Sequence, residues 1–443
     1  MLRQTERQTD GVKLLYHDVE TNGIGYVTAL FDLSEIEEEL LPYAGILQSV
    51  LGIIDTEHYG YGELFNEINV HTGGIGTSLE LYTDVTKVEE KEFRATFEIK
   101  GKALYPKLDV LFAMMREILM ESKLGDEKRL KEILSMLKTR LQTSFLSAGH
   151  TTAVLRSLSY TSPIARFRDI TSGIGFYEVV KDLEENFEER KELLIENLKK
   201  IAGRIFRKEN LMLSYTSAQE GLAVLEKAVP QFADSLHTGE KESHGQCIIH
   251  CKKRNEGFRT SSKVQYVART GNFIDGGAEY TGALQILKVI LSYDYLWQNV
   301  RVKGGAYGCM SGFNRIGEGY LVSYRDPNLE KTMEIYEGVV DYLKNFDIDD
   351  RDMNKFIIGT ISNLDRPMNP AAKGSRSLNL YMNRITEEMI RREREQILDA
   401  QQEDIRGLAT VLEAVLAAGE LCVIGSEEKI EEAKEMFGEI RTL

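Results

Sequence analysis

The residues best placed to do chemistry lie in RVKGGAYG (301–308), where Arg301 and Tyr307 flank a turn containing Gly304 and Gly305. A guanidinium offers a planar fork of donors that can grip carbonyls or a carboxylate, and tyrosine offers a rigid ring with one hydroxyl. Such a pair suits an extended peptide, whose repeating carbonyls need donors of fixed direction. Plain packing and surface charge also explain these residues, and on residue types alone both readings stand. A phosphate cradle does not fit. Neither GGIG (73–76) nor GGAYG (304–308) is followed by G-K-[ST], and each leads from a helix into a strand instead of opening a helix N-terminus. Glycine in that place supplies positive φ or a bulge.

Spacing gives zinc chemistry no support. No H-E-x-x-H or H-x-x-E-H occurs, and His17, His58, His71, His150, His237 and His244 have no second His or Cys at helical spacing backed by a glutamate. CIIHC offers three soft ligands, Cys247, His250 and Cys251, but no fourth at a convincing distance. Its apolar alternation reads better as an interdomain strand, and an independent metal protein built on it is the weaker alternative. No G-x-S-x-G elbow is present, and no Ser-His pair can be singled out without geometry.

The elements that must position these residues are bounded by composition. A chain of 443 residues with 42% hydrophobic content can bury more than one core, so two to four domains of roughly 100–200 residues are expected. A formal charge of -15 argues against a nucleic-acid partner. Four scattered cysteines, at 247, 251, 309 and 422, are too few for a disulfide framework and point to a reducing, cytoplasmic setting. The polar start and the lack of an uninterrupted apolar run of about 18 residues give no secretion signal and no membrane span.

Periodicity predicts a strand at 23–33, then a helix capped by Ser34, a second helix in YGELFNEINVH, the glycines of TGGIG, and strands in TSLELYTDV and FRATFEIKG. Helices fill 104 to about 204 before a strand, NLMLSYTS, and a last helix. The same order then restarts. SSKVQYVARTGNF reads as strand, AEYTGALQILKVILSYDYLWQNV as one helix, KGGAYG as a glycine turn and GEGYLVSYRD as strand. Phe112, Leu119, Leu124, Asp126 and Ile133 pair with Tyr336, Leu343, Ile348, Asp350 and Ile357 at a constant offset of 224, and Ser217 and Ser426 read as matching N-caps. An internal duplication follows. The expected organisation is an α+β repeat at 1–235, a linker at 236–255 and a second α+β repeat at 256–443, each a mainly antiparallel sheet faced by helices on one side.

RVKGGAYG with GEGYLVSYRDPNLEKTMEIYEG resembles the closing domain of the insulinase-pitrilysin zinc metallopeptidases, in their presequence-protease branch. The stretch from ETNGIGYVTALFDL to NVHTGGI resembles the third domain of the same enzymes. The resemblance implies the insulinase or mitochondrial-processing-peptidase-like metallohydrolase fold, with four homologous domains in two hinged halves that close around a peptide. It makes this chain the third and fourth domains, without the half that carries H-x-x-E-H. If AGILQSVL is the counterpart of the zinc helix, Ala44, Leu47 and Gln48 stand where ligands and catalytic glutamate would be. The resemblance thus implies no catalytic or metal-binding residue and no cofactor in this chain, with zinc in the missing half. It implies a substrate-binding role for Arg301, Tyr307, Gly304 and Gly305, and as partners an N-terminal catalytic half, in the same or a separate chain, and an oligopeptide. A homodimer of the isolated chain is also expected. The alternative is a stand-alone peptide-binding subunit that pairs with a separate catalytic chain.

Overall fold

A computed structural model describes residues 4–238 and 247–443. The first sheet runs in the order β1-β2-β6-β3-β5-β4, built from β1 (Gln4–Thr9), β2 (Val12–Asp18), β3 (Ile24–Asp32), β4 (Ile75–Thr83), β5 (Phe93–Leu104) and β6 (Leu211–Ser217). The second runs β12-β7-β11-β8-β10-β9, from β7 (Glu256–Thr260), β8 (Tyr266–Asn272), β9 (Gly308–Phe313), β10 (Glu318–Tyr324), β11 (Glu420–Ser426) and β12 (Glu439–Thr442). Five positions correspond between the sheets, including one parallel contact in each, β2 with β6 and β7 with β11. The outer strands differ. The N-terminal β1 pairs antiparallel with β2, while the C-terminal β12 pairs parallel with β7.

Strict alternation of side chains across a strand lets each sheet bury two faces. In the first sheet Leu14, Tyr16, Ala29 and Phe31 enter the larger core, against the helices Leu108–Met120 and Gln219–Asp234. Their neighbours Leu15, Leu30 and Met212 face the other way, onto Leu378 of the helix Pro370–Met382. In the second sheet Val267, Leu321, Leu421 and Val423 pack among that repeat's own helices, while Tyr266, Ala268, Val322, Cys422 and Ile424 join the first repeat's core beside the helix Gly149–Leu158. Helices therefore cover both faces, not one as expected, and the second cover comes from the opposite repeat. The two covering helices occupy matching places, directly after Glu127–Ser147 and Asp350–Leu364.

Polar groups fix these contacts. Beneath the helix Gly149–Leu158, Arg156 donates to both Glu256 carboxylate oxygens at 2.6 and 2.8 Å and to Asp169 at 2.6 Å. Arg156 is 2% exposed and both acids are 0% exposed. Burial raises the cost of ionising Glu256, but its hydrogen bonds to Arg156 hold its pKa below the ordinary value. Ser157, Thr161 and Ser162 continue the seam to Thr270, Glu420 and Glu318. On the first sheet, buried His17 joins Ser377 and Ser214, each at 2.9 Å.

Burial pushes the His17 pKa down from 6.5 to about 4, so the ring is neutral when folded and gains its proton more readily when unfolded. Its contribution is complete above about pH 6.5 and is lost as pH falls toward 4, up to about 3 kcal/mol. Melting temperature measured across that window is expected to drop, and His17→Gln to flatten that part of the profile. An unchanged profile in the variant would refute the assignment.

Several local expectations change. Residues 247–255 are irregular, so CIIHC is not a strand; its backbone follows the first repeat, with the Cys247 N–H on the Ser34 carbonyl at 2.7 Å. Ser34 caps nothing, because a 3-10 turn at Glu38–Leu40 comes first and the helix begins at Leu41. The Ser34 N–H instead turns back to the Asp32 carboxylate at 2.7 Å. Ser217 ends β6 and the cap position falls to Ala218, while Ser426 holds the cap position without a side-chain capping bond. Of the expected linker, residues 239–246, with His244, lie outside the described residues.

Candidate functional site

The helix expected through residue 300 stops at Tyr293, after Ala283–Tyr293, and the chain then widens into a π turn at Trp297–Val302. The Lys303 N–H reaches back five residues to the Gln298 carbonyl at 3.0 Å. A π turn rotates the following side chains relative to an α-helix, and such turns recur at functional sites. Val300 stays buried as the anchor. Arg301 lies over Trp297, its guanidinium carbon 3.9 Å from the ring centroid. That cation has no hydrogen bond or ion pair among the described residues, and its other close contact is the Tyr307 ring at 5.9 Å.

Gly304 and Gly305 are required by geometry. A Cβ on Gly304 would sit 2.4 Å from the Val300 carbonyl oxygen, and Gly305 has φ +84°. The counterpart Gly74, ahead of β4, likewise has positive φ, +108°. Backbone bonds clamp the turn: the Gly305 N–H on the Arg301 carbonyl at 2.8 Å and the Ala306 N–H on the Val300 carbonyl at 3.2 Å. From below, the Asn328 side-chain amide donates to the Gly304 carbonyl at 2.6 Å. Buried Asp326 holds Asn328 in turn, accepting its backbone N–H at 2.9 Å and the Thr332 hydroxyl at 2.6 Å.

Tyr307 leaves the turn 68% exposed, with its ring edge-on to Tyr324 at 5.7 Å. Tyr324 meets His150 of the Gly149–Leu158 helix at 4.8 Å. Arg301, Tyr307, Gly304 and Gly305 are thus gathered on one rim. Sequence reasoning missed Trp297, Tyr324 and Asn328. The signals for two of them were available: Trp297 is the chain's only tryptophan, four residues ahead of Arg301, and D-P-N at 326–328 is turn chemistry.

The counterpart of the zinc helix, Leu41–Val50, buries Ala44 and Leu47 completely. Gln48 is spent on the sheet: its amide donates to the Thr77 carbonyl at 3.2 Å, and the Thr77 hydroxyl returns a bond to the Gln48 carbonyl at 2.9 Å. At the Cys247 cluster, Glu38 takes up both the ring nitrogen and the backbone N–H of His250, at 2.9 and 3.0 Å. Burial pushes the Cys247 thiol up to about 11 and raises Cys251 as well, away from the thiolate a metal needs. Among the described residues no group of three or more His, Cys, Asp or Glu could hold a metal ion. None of their helices is long and apolar enough to cross a membrane.

The family model for the region associated with M16 peptidases of subfamily C matches residues 1–183, and that described as PreP C-terminal domain matches residues 255–427. Protein HypA of Clostridium perfringens is 37% identical over 440 residues, a match covering 99% of this chain and 44% of that protein. Presequence protease 1, chloroplastic/mitochondrial, of Arabidopsis thaliana is 30% identical over 426 residues, covering 96% of this chain and 39% of that protein. The chain therefore spans less than half the length of these curated relatives. Among solved structures, a peptidase M16 inactive domain from Pseudomonas fluorescens shares the fold with TM-score 0.62 at 13% identity, covering 96% of this chain and 98% of that one. A protease from Helicobacter pylori does so with TM-score 0.63 at 14% identity, covering 96% and 99%.

Proposed function

The chain corresponds to the C-terminal half of a presequence-protease-like M16 peptidase, and from that premise we propose that it is the non-catalytic, substrate-clamping half of a zinc-dependent endopeptidase that degrades oligopeptides inside a closed chamber. The observation that carries this reading is the rim itself. Arg301 is a cation without a counter-ion among the described residues, and Tyr307 is mostly exposed. Both stand on a turn fixed by backbone bonds to Arg301, Val300 and Asn328. A polar pair held so firmly yet left unsatisfied is suited to a ligand.

In this role Arg301 donates to a carbonyl of an extended peptide, and the Tyr307 hydroxyl donates to the reacting carbonyl oxygen as charge develops on it. Gly305 and the π turn keep the two donors on one side. Zinc, held by the missing half, would supply an activated water. The partner half meets this one through apolar surface such as that of the helix Tyr61–His71, where Phe65 is 63% and Val70 72% exposed. The same surface permits the isolated chain to pair with itself. Four free cysteines suit a reducing cytoplasmic setting.

A second reading, a stand-alone peptide-binding subunit paired with a separate catalytic chain, is favoured by the solved chains, 98% and 99% of whose lengths this chain covers. Both readings share one test. Purified alone, the chain is expected to hold no stoichiometric zinc by elemental analysis and to leave oligopeptides intact. Mixed with a half bearing H-x-x-E-H, it is expected to form a complex that hydrolyses them. A complex inert towards every oligopeptide tested would overturn the clamping role, and one tightly held zinc per isolated chain would favour the Cys247 cluster instead.

A further inference from the structure

Arg325 differs from an ordinary surface arginine in its backbone and in its surroundings. Its φ is +47°, in the left-handed region that glycine and asparagine occupy cheaply and arginine does not. Its exposed guanidinium has no carboxylate partner among the described residues; the Tyr266 hydroxyl hydrogen-bonds it and keeps it charged. The guanidinium carbon lies 5.6 Å from the Tyr324 ring centroid. Tyr324 meets Tyr307 at 5.7 Å, and Tyr307 meets the Arg301 guanidinium at 5.9 Å. The order is cation, ring, ring, cation, with the exposed Tyr307 ring and Tyr324 between two arginines that lack counter-ions among the described residues.

The backbone here is over-determined. The Arg325 carbonyl accepts the Tyr307 N–H at 3.3 Å, and Asp326 exchanges two backbone bonds with Gln265 at 2.7 and 2.9 Å. The rings beneath Arg325 are seated by the opposite repeat: the Tyr266 hydroxyl donates to the Leu146 carbonyl, and the Tyr324 hydroxyl to that of Ser147 at 3.3 Å. A Cβ on Gly149 would lie 2.3 Å from the Tyr266 ring, so this approach needs glycine. A strained residue held by its neighbours, with a charged group left open, marks a functional position.

We infer that Arg325 is a specificity-determining residue of the Arg301–Tyr307 rim, gripping a carboxylate carried by the bound peptide. The inference rests on the peptide-clamping reading of that rim. A guanidinium fork binds a carboxylate in a bidentate, charge-assisted way, about twice as strongly as a neutral carbonyl. Arg301 then holds any backbone, whereas Arg325 discriminates. The carboxylate is either the peptide's C-terminus or an acidic side chain, which offer the same chemistry.

The test titrates the 443-residue chain with three hexapeptides of one parent sequence. One carries a free C-terminal acid, one a C-terminal amide, and one is an amide with a single internal glutamate. Trp297, 3.9 Å from the Arg301 guanidinium, gives an intrinsic fluorescence signal, and calorimetry an independent one. At least one carboxylate peptide is expected to bind about tenfold more tightly than the neutral amide. The one that gains separates terminus from side chain. Arg325→Asn, suited to the left-handed backbone, is expected to bring that ratio close to one without lowering the melting temperature, while Arg301→Ala weakens all three peptides. If the three bind equally to the unaltered chain, or the ratio persists in Arg325→Asn, the inference is wrong and the clamping reading stands. If none of the three binds, both are wrong.

Discussion

Replacing Arg156 by alanine is expected to destabilise the protein by about 3–5 kcal/mol, the largest effect of any single substitution considered. The side chain is 2% exposed and is the shared partner of Asp169 and Glu256, themselves fully buried. Its loss leaves two carboxylates in the interior without their shared cation. Chemical denaturation read by circular dichroism measures the loss. The deficit should shrink on acidification: without Arg156, burial raises both folded carboxyl pKa values above their unfolded ones, so the variant recovers stability as pH falls below them. Replacing all three residues with apolar side chains of similar volume should cost far less than Arg156→Ala, because no orphaned charge remains. A loss under about 1 kcal/mol for the single variant would show that the triad does not hold the two repeats together.

In the assembled enzyme, Arg301→Ala and Tyr307→Phe are each expected to lower kcat/KM by about ten- to a hundredfold, the equivalent of one charge-assisted hydrogen bond made mainly in the transition state. The fold should hardly notice. Arg301 gives up only stacking on Trp297 and Tyr307, worth about 0.5–1 kcal/mol at an exposed site. Tyr307→Phe keeps the ring against Tyr324 and removes a hydroxyl that has no hydrogen bond among the described residues. Melting temperature and steady-state kinetics on the same variants separate the outcomes. Variants that melt several degrees early and turn substrate over normally would make the rim a structural feature.

The repeated order of strand, helix, glycine turn and strand was legible because it is written in hydrophobic period, which local sequence carries. The β1 strand was not. QTERQT pairs as an outer strand with no apolar side chain to bury, and its one clue was the turn at Asp10–Gly11, where both residues have positive φ. The π turn escaped because Trp297 and Val300 keep a helical apolar spacing, and widening the backbone by one residue changes hydrogen bonds before it changes that pattern. Ser34 and the CIIHC stretch misled for a different reason: a capping residue type and an apolar alternation were present, but Asp32 and the first repeat's backbone claimed them. At the site, Arg301 and Tyr307 were legible because one short segment contains both. Tyr324 and Arg325 were not, since they come from the far end of β10 and meet Tyr307 only through the register of β9 with β10.

The exchange of covering helices determines what can exist as a separate piece of this molecule. Gly149–Leu158 roofs the sheet of the second repeat, and Pro370–Met382 roofs that of the first. Either repeat excised alone would keep an arm with nothing to grasp and would bare one side of its own sheet, with His17 on one and Glu256 on the other turned out to water. The chain is in effect an internal dimer, two copies of one unit that traded an arm and were then joined by a covalent tether. Its smallest self-sufficient body is the pair, and the duplication could not have been taken apart again once the arms had crossed.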